Sequence, residues 1–280
     1  MIDFTLSTYK SLIKALKKRN YQFLTVEEYF FHPLAPSHFR TVALPFSRTV
    51  ALSYMHPIVI MRHDVDRKPE NSLKTAIIEN KFNIKASYYF RVGKESNQPK
   101  IIKQIADLGH EIGYHYEDLT IAKGDYQKAI KLFEKNLDYF RKFYPVETIC
   151  MHGSPKSAFD NRDIWKKYDY RQLGIIGEPY FDIDFDKIFY LTDTGRCWNG
   201  YKYSVRDKMP QQERWVKEGL VFKTTNDIIK AAQDNKLPNQ IMITIHPQRW
   251  TNNYFEWAKE LLSQRLKNMV KWGLIQLKHK

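Results

Sequence analysis

The chain holds only two cysteines, Cys150 and Cys197. Their separation and neighbours suggest neither a disulfide framework nor a zinc knuckle, so both are expected as thiols in a reducing compartment. The opening stretch, MIDFTLSTYKSLIKALKKRNYQF, lacks the apolar core and cleavage site of a secretory leader. No apolar run is long enough to span a bilayer. These absences point to a cytoplasmic protein without a membrane span. The basic residues come with no known nucleic-acid motif, so nucleic acid is not expected as a partner.

What is present is more telling. At 280 residues and 43% hydrophobic composition, the chain can bury a large core and is expected to form one domain over residues 1–280. Residues 1–56 are expected as a helical extension packed on it, since Tyr9, Leu12, Ile13 and Leu16 follow helical spacing. A net charge of +14 arises from 45 Lys and Arg against 31 Asp and Glu. Such a charge draws polyanions, an acidic polysaccharide among them. The basic residues are scattered, with a run at Lys17, Lys18 and Arg19 and a looser group at Lys267, Lys271, Lys278 and Lys280. A direct repeat, RTVAL-PFS-RTVAL, falls within residues 41–53 and reads as a local duplication in a loop or hairpin. Residues 193–215, rich in Gly, Trp, Tyr and Arg, read as a long loop over a site.

Strand and helix patterns alternate along the chain. Apolar runs at 57–61, 84–90, 110–115, 146–152, 187–192 and 240–246 read as strands. Residues 69–81, 99–109, 122–143, 225–235 and 253–271 read as helices, with Pro69 in a first turn and Gly109 as a stop. Strand-then-helix repetition predicts an α/β fold with a largely parallel sheet. Ionisable residues recur at the strand ends: Asp64, His115, His152, Asp193 and His246. In parallel α/β folds, functional groups gather at those ends.

The segment RHDVD sets Asp64 and Asp66 two residues apart, on one side if strand geometry continues. Paired carboxylates are tolerated when a cation or proton lies between them. A capped turn before the helix at residue 69 explains the same pair equally well. HEIGYHYED adds His110 and His115 with Glu111, Glu117 and Asp118, and histidine is both the commonest metal ligand and a ready acid or base. TIHPQRW stops a strand at His246 with Pro247, and ICMHGSPKS does much the same at His152.

In their order, these segments resemble the polysaccharide deacetylases, metal-dependent carbohydrate esterases on an irregular (β/α) barrel. RHDVD is similar to the family's first motif in its Asp-x-Asp form. GHEIGYH at 109–115 is close to the second motif, LTDTGRCW supplies the Asp193 and Trp198 of the fourth, and ITIHP matches the fifth. The likeness spans about residues 57–250. It implies that Asp64 is the base that activates water, that His246 protonates the leaving amine and that Asp193 orients or tunes a partner. It further implies that Asp66 and His115 bind a divalent metal, usually zinc. The third motif is represented by MHGSPKS, which differs from it and has His152 where the family tends to have arginine. Four residues after His115, where the family has its third ligand, stands Leu119, which cannot ligate. His152 is the candidate replacement, with Glu117, Asp118 and His246 as alternatives. The implied activity is removal of an N-acetyl or O-acetyl group from a sugar or polysaccharide. The alternative is a catalytically silent relative that binds a glycan in an envelope-polysaccharide pathway.

Overall fold

The computed structural model describes residues 2–36, 56–154, 157–199 and 209–278. The RTVAL repeat lies outside the described residues, as does part of the loop expected at 193–215. Helix α1 (Leu6–Lys18) starts at Thr5, whose side chain accepts the Thr8 N–H and so satisfies a donor that the first turn leaves free. Strand β1 (Gln22–Leu24) and helix α2 (Val26–Phe31) follow, the helix opening on a reciprocal cap between Thr25 and Glu28. The expected helical extension thus contains a strand.

The central strand is β2 (Ile58–Val65), and every one of its side chains is buried, as both-face coverage by helices requires. Helix α3 (Pro69–Asn80), strand β3 (Ser87–Phe90), helix α4 (Pro99–Asp107) and strand β4 (Glu111–Tyr116) continue the alternation. After the short α5 (Asp118–Ile121) come α6 (Tyr126–Phe140) and β5 (Ile149–Met151). Next are α7 (Pro179–Asp182), β6 (Phe189–Thr192), α8 (Gln212–Lys217) and α9 (Thr225–Gln233). Strand β7 (Gln240–Ile245) and helix α10 (Tyr254–Lys278) complete the order.

All pairings between these strands are parallel, and the sheet runs β5-β4-β3-β2-β7-β6. β1 and β3 share one edge of β2: β1 pairs with Ile58–Ile60 and β3 with Arg62–Val65, while β7 takes the other edge. The result is a half-barrel with surrounding helices, the α/β class that the alternating pattern predicts. Tyr9, Leu12, Ile13 and Leu16 of α1 are fully buried in the same core as Ile58, Val59, Ile241 and Ile243. α1 packs against α9 and α3. The topology sends the carboxyl ends of β2, β4, β5, β6 and β7 to one rim.

Candidate metal centre

Asp64 and Asp66 follow the two-residue period of β2, and Arg62 precedes them on the same face. Arg62 forks onto Asp64: Nε donates to Oδ1 at 2.7 Å and Nη2 to Oδ2 at 2.6 Å. Both side chains are buried. Burial alone would raise the Asp64 carboxyl, but the Arg62 guanidinium, together with His115 and His246, outweighs it and holds Asp64 below the usual carboxylate range.

Asp66 lies beyond the strand. Its Oδ2 accepts a hydrogen bond from Gln248 Nε2 at 3.0 Å, which aims Oδ1 at the imidazoles. His115 Nε2 lies 3.6 Å from Oδ1 and His152 Nε2 lies 3.5 Å from it. From the other side, His246 Nε2 stands 4.0 Å from Oδ2. Burial would push the Asp66 carboxyl up; when protonated, the surrounding His115, His152 and His246 hold it well below its ordinary value.

Each of these imidazoles is fixed through its other nitrogen. His115 Nδ1 lies 2.9 Å from the Cys150 carbonyl, which can only accept, so Nδ1 carries the proton. His152 Nδ1 meets Glu117 Oε2 at 3.1 Å, and Arg91 in turn forks onto Glu117 Oε1. Glu117 is pushed down to about 2; burial opposes this, and His152 and Arg91 outweigh it. His246 Nδ1 meets Asp193 Oδ1 at 2.6 Å. Asp193 is fully buried and also accepts from Arg249 Nη1 at 2.6 Å and Trp250 Nε1 at 2.7 Å. It too is held low: burial works against ionisation, and Arg249 and His246 overcome it.

With Nδ1 protonated, a neutral imidazole presents the Nε2 lone pair. Asp66 Oδ1 is buried with no hydrogen-bond partner among the described residues. Lone pairs facing one another are held together by a shared cation. Spacings of 3.5 and 3.6 Å exceed an N–H···O bond. They approach the edge of roughly 3.3–3.5 Å between co-ligands about 2.0–2.1 Å from a tetrahedral ion. The ligand atoms of Asp66, His115 and His152 all lie within 4.8 Å of one another. The residues present therefore make a possible Asp–His–His metal site.

Sequence reasoning named Asp64, Asp66, His115, His152, Asp193 and His246, and the structure gathers all of them at the rim. Of the alternatives for the missing ligand, Glu117 stands behind His152 rather than beside it. Asp118 turns away to the Tyr114 hydroxyl and the Asn136 amide. Leu119 is buried in the core at 1% exposure. His110 belongs elsewhere: with His63 it surrounds the buried Glu79 carboxylate, His63 Nε2 at 2.7 Å and His110 Nδ1 at 3.6 Å. Sequence reasoning missed Arg62, Arg91 and Gln248. The period of β2 pointed to Arg62, since residues 62, 64 and 66 share a face. Arg91 and Gln248 leave no local signature.

The sequence matches no family model and no curated protein. Among solved structures it is similar to BA3943, a CE4 family pseudoenzyme from Bacillus anthracis. The identity is 12% over 75% of this chain and 60% of that one, with a TM-score of 0.43. A mutant of that pseudoenzyme with restored enzymatic activity gives the same identity and TM-score over 62% of its length. PdaA of Bacillus subtilis, a family 4 carbohydrate esterase, is 12% identical over 90% of this chain and 83% of its own, with a TM-score of 0.40. The chain thus spans about three fifths of the pseudoenzyme structures, at 60% and 62%. With overlap and identity this low, function rests on the site's own geometry.

Proposed function

We propose that the chain is a metal-dependent carbohydrate deacetylase, a divergent member of the polysaccharide deacetylases, removing an N-acetyl or O-acetyl group from a sugar or polysaccharide. One observation carries this reading: the Nε2 atoms of His115 and His152 stand 3.6 and 3.5 Å from Asp66 Oδ1, and the ligand atoms of the three residues lie within 4.8 Å of one another. The motifs RHDVD, GHEIGYH and ITIHP, which meet at that rim, support it from the sequence.

In this reading Asp66, His115 and His152 hold a divalent ion, zinc by its preference for this donor set. When bound, the ion supplies Lewis acidity toward the acetyl carbonyl and toward a water. Asp64 accepts the proton of the attacking water through a lone pair left over from its bonds to Arg62. Arg62 keeps that carboxylate ionised and fixed in direction. His246, in its doubly protonated form, would deliver the Nε2 proton to the leaving nitrogen or oxygen and become neutral, while its Nδ1–H stays on Asp193, whose charge offsets the imidazolium before transfer. The net charge of +14 favours an acidic glycan as substrate. The same reading takes residues 1–280 as one cytoplasmic domain with residues 1–56 packed on it. In support, Asp3 accepts from the Thr225 N–H at 2.9 Å and its carbonyl from Trp257 Nε1 at 2.7 Å.

A second reading, a glycan binder without turnover, is favoured by the Arg62 fork itself. A base engaged on both oxygens and held below the usual range is a weak one. Elemental analysis of the purified protein, paired with acetate release from an acetylated glycan with and without chelator, tests both. One equivalent of metal with chelator-sensitive acetate release is expected. Metal without release selects the binder, and absence of metal after reconstitution with zinc ends the deacetylase reading.

A further inference from the structure

Helix α10 is amphipathic the wrong way round. Its inward face is polar. Glu260 receives Arg67 Nη2 at 2.8 Å, and Asn268 Nδ2 donates to the Gly195 carbonyl at 2.9 Å. The Trp257 carbonyl accepts from Arg196 at 2.7 Å. Gln264 is buried between these contacts, at 6% exposure. Its outward face is apolar: Phe255 is 76% exposed, Leu262 61%, Leu266 61% and Met269 60%. Intervals of seven, four and three residues put these side chains on one stripe. Surface helices of globular proteins normally turn such a stripe to the core, and a contiguous exposed one marks an interaction site.

Charge says what the stripe meets. Arg265 and Lys267 are exposed beside it. Residues 261–280 also contain Lys271, Lys278 and Lys280, and no Asp or Glu. A second copy, carrying the same +14, is repelled; an anionic bilayer is attracted. No helix among the described residues is long and apolar enough to cross a membrane. A basic helix with a separate apolar face lies instead in the plane of the interface.

We propose that α10 is an interfacial helix that seats the protein on an anionic membrane surface, with Phe255, Leu262, Leu266 and Met269 entering the bilayer and Arg265 and Lys267 at the headgroups. Its anchors, Arg67, Gly195 and Arg196, belong to the loops that follow Asp66 and Asp193. Docking therefore brings the rim of the candidate site beside the membrane. The proposal stands whether or not the site is hydrolytic.

The test is vesicle co-sedimentation of the full chain, with phosphatidylcholine vesicles and with vesicles about one third phosphatidylglycerol. The expected result is at least about tenfold more binding to the anionic vesicles, weakening as salt shortens the screening length. Leu262→Glu with Leu266→Glu is expected to reduce binding about tenfold or more. Arg265→Glu with Lys267→Glu leaves the stripe intact and is expected to weaken it about fivefold or more per charge replaced. Circular dichroism checks the fold of each variant. Equal, weak sedimentation with both vesicle types overturns the proposal. So does a dimer in solution, seen by light scattering, that Leu262→Glu dissolves, because a second copy would then cover the stripe.

Discussion

His152 and Leu119 are the residues on which the proposed metal site turns. Leu119 sits four positions after His115 but packs into the core, while His152, arriving from β5, brings its Nε2 to 3.5 Å from Asp66 Oδ1. His152→Ala is expected to abolish stoichiometric metal uptake with the fold retained. Leu119→Ala should keep the metal and instead cost about 2–5 kcal/mol of stability as a buried large-to-small change. Metal content and denaturant titration of both variants separate these outcomes. Glu117→Gln keeps the shape of the His152 partner but loses its charge, and is expected to weaken metal affinity about 10- to 100-fold, measured by competition with a chelator. Removing one partner from the buried Arg62–Asp64 pair is more damaging to the fold. Arg62→Met strands a carboxylate and should cost about 3–5 kcal/mol in thermal or urea denaturation. The ionisable residues at strand ends were legible because each terminates an apolar run. Arg62 was passed over because it directly follows the apolar run 57–61, where a charge reads as the end of the strand, although β2 continues to Val65. Arg91 and Gln248 act on the site across long sequence separations that no local pattern records.

At the scale of elements, strand β4 shows why GHEIGYH could be read so well. Gly109 takes φ +84°, the left-handed conformation that stops α4 and that glycine adopts without steric cost. Gly113 is required for a different reason. A Cβ there would lie 2.3 Å from the Tyr89 ring and 3.1 Å from the Thr148 carbonyl oxygen. The Tyr89 hydroxyl is pinned to the Thr148 hydroxyl at 2.8 Å, so the ring has little room to swing aside. Gly113→Ala is expected to destabilise the protein by about 1–3 kcal/mol, read from the urea midpoint. It should also weaken metal uptake, since His115 is two residues along the same strand. The long elements were visible because periodicity accumulates over their length. β1 was hidden: its three residues Gln22–Leu24 join the sheet through backbone pairing with Ile58–Ile60, and so short a segment cannot display alternation. The expected strand at 84–90 begins only at Ser87, since the Ile84 N–H bonds back to the Glu79 carbonyl and still closes the end of α3.

Across the whole molecule, buried carboxyl groups include two kinds with opposite responses to pH. Asp64 and Asp193 are held low beside the Arg62 and Arg249 guanidinium groups, so the stability they lend is present above the ordinary carboxylate range and is lost as pH falls through their depressed values. Glu111, at the amino end of β4 and away from the candidate site, does the reverse. Burial pushes it up to about 7, and hydrogen bonds from Ser87, Thr148 and the Glu27 N–H offset only part of that rise. The folded state therefore binds the Glu111 proton more tightly than the unfolded chain does. Its favourable contribution is complete below the ordinary glutamate value of 4.5 and is lost as pH rises to about 7. At 1.36 kcal/mol per pKa unit, the loss is on the order of 3 kcal/mol. Replacing the carboxyl by an amide of the same shape removes this titration. With metal stripped by chelator, so that ligand protonation at the rim does not intrude, wild type should lose stability relative to Glu111→Gln between pH 5 and pH 8 by about that amount. Urea denaturation of the two proteins at each pH measures the difference. A gap that does not change with pH would mean that Glu111 is ionised in the folded protein throughout, its hydroxyl and N–H donors sufficing to hold the charge inside the core.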